Sequence, residues 1–130
     1  MALQMLKDHP LLGVGLNNFT VRMSEYGEVS GWARFLQPVH NVYLLIAAET
    51  GILGLILFLC LLFSVFRLLW RSKNYLFLIS LSQISFLCFV DHYFWSLQQT
   101  ALLFWLLVGE LTKSPSFVYT TSDLEVMVED

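Results

Sequence analysis

The chain has 130 residues, 57% of them hydrophobic and 13% charged, with a mean hydropathy of +0.67 and a formal net charge of −3. That balance lies outside the range of water-soluble domains and indicates an integral membrane protein. It also argues against a nucleic-acid partner, because Lys and Arg total only 7 and the acid gathers near the C-terminal end at Asp123, Glu125, Glu129 and Asp130.

In chain order, Ala2 to Leu6 reads as a helix end, broken by Pro10, and Met1 to His9 lacks the long apolar core of a signal peptide. Leu11 to Phe19 (LLGVGLNNF) follows, where Gly13, Gly15, Asn17 and Asn18 interrupt any apolar period and predict a tight folded loop. A Gly-x-Gly pair also lets backbone amides approach a phosphate. Here no strand precedes it and no third glycine completes a dinucleotide fingerprint, so the turn reading is preferred. Thr20 to Gln37 mixes Arg22, Glu25, Glu28 and Arg34 with Tyr26, Trp32 and Phe35. Aromatic rings among charges beside an apolar run fit an interfacial loop.

At Pro38 the chain turns toward its organising element. Proline disfavours helix just before it, Asn41 is a good N-cap, and from Val42 onward the residues are overwhelmingly apolar. His40 is therefore expected at the mouth of a helix. The run Val42 to Phe66 is long enough to cross a hydrocarbon core, which needs about 20 helical residues. Tyr75 to Val90 and Phe94 to Leu111 are the second and third apolar runs. The predicted fold is all-α, with three transmembrane helices and an outer-face loop. Residues 1–41 form the loop with short helices, 42–111 the membrane segment, and 112–130 an acidic, polar tail without helical period.

Arg67, Arg71 and Lys73 crowd the first connection, whereas the Asp91-His92 link carries no Lys or Arg. The positive-inside rule then puts the first connection and the tail in the cytoplasm, with the front loop, His40, Asp91 and His92 outside. Cys60 and Cys88 both lie in apolar runs without a neighbouring ligand and are expected to be small buried hydrophobes.

Ala47, Gly51 and Gly54 recur every three or four residues on one stripe of the first span, where small side chains let another helix approach closely. Glu49 stands about two turns into that helix. A carboxylate there is costly in lipid and should face protein or a wet cavity, either as a hydrogen-bonded structural acid or as a functional one. His40 has the pKa range of a base near neutral pH, although a lone histidine is more often structural. His9, His40, Asp91 and His92 share one side and form a conceivable metal set, but none has local metal-ligand spacing and no metal is expected.

Two stretches carry a resemblance. His9-Pro10-Leu11-Leu12-Gly13-Val14-Gly15-Leu16-Asn17-Asn18-Phe19, together with His40-Asn41, nine residues, Gly51, two residues and Gly54, resembles the C-terminal part of the O-antigen ligase and polymerase family, over roughly Met5 to Glu110. The resemblance implies a C-terminal piece of a GT-C-like polytopic glycosyltransferase of the bacterial inner membrane. Such an enzyme moves a glycan from undecaprenyl diphosphate to lipid A-core, a growing polysaccharide or a protein, without a metal ion or other cofactor. It puts the acceptor base on His40, with Asn41 setting its approach and Glu49 shaping the pocket. Arginines stabilise the leaving diphosphate in the family, and Arg34 and Arg22 are the local candidates.

Family members have many more spans than three, so upstream helices or a partner subunit are expected to complete the site, and the chain is not expected to act alone. Two other readings remain at this stage. One is a segment of a solute transporter of the bicarbonate type. The other is a small non-catalytic membrane interaction protein using the Ala47, Gly51, Gly54 stripe.

Overall fold

The computed structural model describes residues 1–27 and 37–112, and all regular structure among them is helical. Helix α1 spans Ala2–Asp8, a 3₁₀ turn covers Met23–Glu25, and α2 runs Val42–Arg71. Then follow α3 at Tyr75–Val90, α4 at Tyr93–Ser96 and α5 at Gln98–Thr112. Arg34 and the tail after Thr112 lie outside the described residues.

Helix α2 is the hub. Its 30 residues give it a contour of about 45 Å at 1.5 Å per residue, kink included, and among the described helices it alone is long and apolar enough to cross a membrane. It starts where the cap was expected: the Asn41 side chain accepts the Leu44 backbone N–H at 2.9 Å. It ends at Arg71, after which Ser72 to Asn74 reverse the chain with Lys73 at φ 55°, and α3 returns along α2. Phe58, Leu62, Val65 and Leu69 recur at helical spacing along α2 and form its buried stripe. They share one core with Leu81 and Cys88 of α3 and with Phe104 and Val108 of α5.

The three apolar runs therefore become one long helix and two short ones. With 16 and 15 residues, α3 and α5 each fall below the roughly 20 needed to cross the hydrocarbon unaided. The third run is broken at Leu97, whose extended backbone separates α4 from α5, and the Thr100 hydroxyl bridges the break by donating toward the Tyr93 and Leu97 carbonyls. Large apolar side chains such as Leu57, Phe63, Phe86 and Leu106 remain exposed on α2, α3 and α5, as suits surfaces meeting lipid or further helices. Cys88 is buried as expected, whereas Cys60 is exposed on α2.

The N-terminal third of α2 packs against the front segment. Ala2, Met5, Val14 and Phe19 close over Leu45 and Ala48 in a second core. The contact is made through backbone as well as side chains. Within α2, Gly51 has φ 71° and ψ −172°, far from helical values, so the helix is kinked there. Ile52 then donates its N–H to the Pro10 carbonyl at 2.8 Å instead of closing the usual bond to Ala48. The front loop takes the carbonyls thus set free: Val14 N–H donates to Ala48 O and Gly15 N–H to Glu49 O, each at 2.9 Å. Gly13 (φ 67°), Gly15 (φ 103°) and Asn17 (φ 60°) supply the left-handed turns the loop needs to lie so close.

Candidate functional site

His40 directly precedes the α2 cap, and its neighbours come from the far end of α3. Asn41 not only caps α2 but donates its side-chain N–H to the Phe89 carbonyl at 3.0 Å, fastening the start of α2 to the end of α3. This brings Asp91 and His92, which directly follow α3, up to His40. His40 Nδ1 stands 3.9 Å from Asp91 Oδ1, and its ring meets the His92 ring edge-on with centroids 5.0 Å apart. His40 is 57% exposed and Asp91 32%, so the pair is open to solvent or substrate.

His92 differs from both. It is buried, its backbone N–H donates to Asp91 Oδ1 at 2.6 Å, and its Nδ1 pairs with the Ser96 hydroxyl at 2.5 Å. Burial lowers its pKa from the usual histidine value and outweighs the opposing pull of Asp91; nearby His40 lowers it further.

Glu49 is also buried, and both of its oxygens are used. One accepts the Phe19 backbone N–H at 3.2 Å and the other the Trp95 indole N–H at 3.1 Å. Of the two roles considered for this acid, the observed contacts are those of a hydrogen-bonded brace tying the front loop and α4 to α2. It lines a mostly apolar cavity of about 320 Å³ with Leu16, Phe19, Pro38, Trp95 and Trp105. Ser96, which holds His92, lines the same cavity.

Among the other expected site residues, Ala47 and Gly51 are buried. What approaches Gly51 most closely among the described residues is the backbone of Leu11 and Leu12, since a Cβ there would collide with the Leu11 carbonyl. At Gly54 the nearest atoms an added Cβ would meet are those of the Thr50 side chain, its Cβ included. The small-residue stripe thus receives a loop at Gly51, because the kink exposes helix backbone for the loop to pair with. Arg22 pairs loosely with Glu25 at 3.9 Å, and no hydrogen bond or ion pair among the described residues joins it to His40. His9, one of the four residues of the conceivable metal set, is not part of the His40, Asp91, His92 cluster.

The two sequence stretches, separated by residues 20–39, are therefore halves of one structure: the Pro10 to Gly15 loop fills the break at Gly51, and His40 directly precedes the cap of the same helix. Residues 1–59 match the family model for O-antigen ligase. The resemblance read from the motifs is shown over that stretch, which holds both the glycine-rich loop and the His40 to Gly54 segment. No curated protein and no solved structure matches the chain. The O-antigen ligase match stops within α2, so Asp91, His92, Trp95 and Ser96 lie beyond it. The sequence left Asp91 and His92 as a polar pair between two apolar runs. The signal for their role was the topology, which put that pair on the same side as His40.

Proposed function

We propose that this chain forms part of a membrane glycosyltransferase of the O-antigen ligase kind, acting on a glycan carried by undecaprenyl diphosphate, with His40 as the base that activates the acceptor hydroxyl. The O-antigen ligase match over residues 1–59 supports a glycan-handling membrane protein, and the observation that carries the finer reading is His40 beside Asp91 at the open mouth of α2. In the reaction, the acceptor oxygen attacks the anomeric carbon, the bond from that carbon to the diphosphate oxygen breaks, and the hydroxyl proton passes to His40. A carboxylate beside an imidazole favours the protonated ring formed in that step, so Asp91 acts as the positioning residue. Asn41 sets the approach of His40 through its cap and its bond to Phe89. Glu49 holds the wall of a cavity that Trp95 and Trp105 also line, and aromatic residues suit a sugar ring. Arg34 or Arg22 stabilises the departing diphosphate.

The cavity, at about 320 Å³, suits one or two sugar units and is far too small for a polyprenyl carrier. The reading therefore includes further helices, from the same polypeptide or from a partner subunit, packed on the exposed apolar faces of α2, α3 and α5. It sets the chain in the bacterial inner membrane with His40 on the periplasmic side. Lipid A-core, a growing polysaccharide and a protein side chain are the acceptor classes.

The test is glycan transfer in membranes that contain the chain with its co-purifying polypeptides, a lipid-linked glycan donor and an acceptor. His40→Ala is expected to lower transfer by about 100-fold or more, in line with the loss of a general base, at unchanged protein level. Transfer at the parental rate in that variant, or none from the unsubstituted chain, refutes the reading. A protein that only packs against others would tolerate His40→Ala.

A further inference from the structure

We propose that His40, Asp91 and His92 form a binding site for a divalent transition-metal ion of the zinc class. One ring nitrogen from each histidine and one Asp91 carboxylate oxygen all lie within 4.8 Å of one another. The second, independent observation is His92 itself. It is 5% exposed, and its buried Nε2 has no hydrogen-bond partner among the described residues.

The bonds around Ser96 explain why that atom is a ligand in waiting. The Ser96 hydroxyl lies 3.1 Å from the His92 carbonyl and 2.5 Å from His92 Nδ1; in the tautomer in which it donates to the carbonyl and accepts from the ring, the ring proton sits on Nδ1 and Nε2 keeps a bare lone pair. A buried lone pair without a partner is costly, and a metal ion satisfies it. A metal-bound histidine commonly donates its other ring N–H to a neighbouring group, the part Ser96 already plays.

The carboxylate is a hard donor, but the two imidazoles are borderline ones, and a set led by imidazole suits zinc, copper or nickel better than magnesium or calcium. Tetrahedral zinc with bonds of about 2.0–2.1 Å holds its ligands roughly 3.4 Å apart, so the group must close by about 1.4 Å at most. His40 is exposed and Asp91 partly so, which leaves the movement to them, while His92 is fixed. Three protein ligands leave the fourth position to water.

The site stands on this geometry alone. Its consequence rests on the proposed function: a His40 nitrogen committed to the metal no longer takes the acceptor proton, so an occupied site is silent in transfer.

The experiment uses the full chain purified in detergent, stripped with a chelator, and titrated calorimetrically with Zn²⁺ as the chloride. One ion per chain is expected. His40→Ala and Asp91→Asn, neither at a buried position, should each weaken binding by about tenfold or more. His9→Ala, outside the cluster, should leave it unchanged. No saturable binding, or binding indifferent to both His40→Ala and Asp91→Asn, overturns the proposal. Glycan transfer is then assayed with and without Zn²⁺ in membranes that contain the chain with its co-purifying polypeptides, the donor and the acceptor. Site-dependent binding with loss of transfer supports both readings. Site-dependent binding with transfer unaffected keeps the metal site and overturns His40 as the base.

Discussion

The strongest structural prediction concerns two glycines three residues apart. If Ala47, Gly51 and Gly54 served only as a smooth stripe for a neighbouring helix, an added methyl would cost about the same at Gly51 and Gly54. The observed geometry separates them. Gly51 has φ 71° and ψ −172°, a region essentially reserved for glycine, where another residue costs about 1–3 kcal/mol. Its Cβ would also collide with the Leu11 carbonyl, so the front loop must withdraw. That withdrawal breaks the bonds from Val14 to Ala48, Gly15 to Glu49 and Ile52 to Pro10, each with a net value of about 0.5–1.5 kcal/mol. Gly51→Ala should therefore cost about 3–7 kcal/mol in loop docking. At Gly54 the obstacle lies within α2 itself: an added Cβ would collide with both the hydroxyl and the Cβ of Thr50, and rotating the Thr50 side chain does not move its Cβ, so the helix turn must shift. Overpacking of that kind costs about 1–3 kcal/mol, but Gly54→Ala places it inside the helix and should leave the loop's bonds to Ala48, Glu49 and Ile52 in place. Amide hydrogen exchange in detergent micelles reads the difference at Val14, Gly15 and Ile52. Protection should collapse in Gly51→Ala and persist in Gly54→Ala. Equal protection in the two variants would refute the loop-in-break account.

Further outcomes follow from the buried polar groups. Glu49→Ala strands the Phe19 N–H and the Trp95 indole N–H, at about 1–3 kcal/mol per buried donor, and should lower the thermal midpoint and shift Trp95 fluorescence toward that of a wetter ring. Asn41→Ala removes a helix cap worth about 1 kcal/mol together with the bond to Phe89. It should reduce glycan transfer by separating His40 from Asp91, detectable as a fall in rate at unchanged protein level. Asp91→Asn should slow transfer while keeping the fold, because His40 loses its carboxylate and Asn still accepts the His92 N–H. Stability should also depend on pH through His92. Its pKa is lowered in the fold, so below the ordinary value of 6.5 the unfolded chain binds the extra proton first. Stability is thus undiminished above pH 6.5, falls as the pH drops through that value, and levels off below the folded pKa; in chelator, His92→Gln should flatten this slope.

What the sequence made legible was what short range decides. Pro38 and Asn41 mark the start of α2 through local backbone preference, and the density of Gly and Asn in residues 13–18 marks a tight loop for the same reason. Gly51 was harder. A glycine in an apolar helix reads as room for a neighbour, and nothing within a few residues shows that the neighbour is a loop some 40 positions earlier. Only the tertiary pairing of Pro10, Val14 and Gly15 with the Ala48 to Ile52 backbone gives the kink its reason.

The break at Leu97 was missed for a related cause. Gln98 and Gln99 signal reduced hydropathy, but the extended residue between α4 and α5 is fixed by bonds that the Thr100 hydroxyl makes back across it. That break matters for chemistry, because the short helix it sets apart, α4, holds Trp95 on Glu49 and Ser96 on His92. The short helix α4 thus joins the two polar centres, with one hydrogen bond to the brace at Glu49 and the next residue bonded to the ring beside His40.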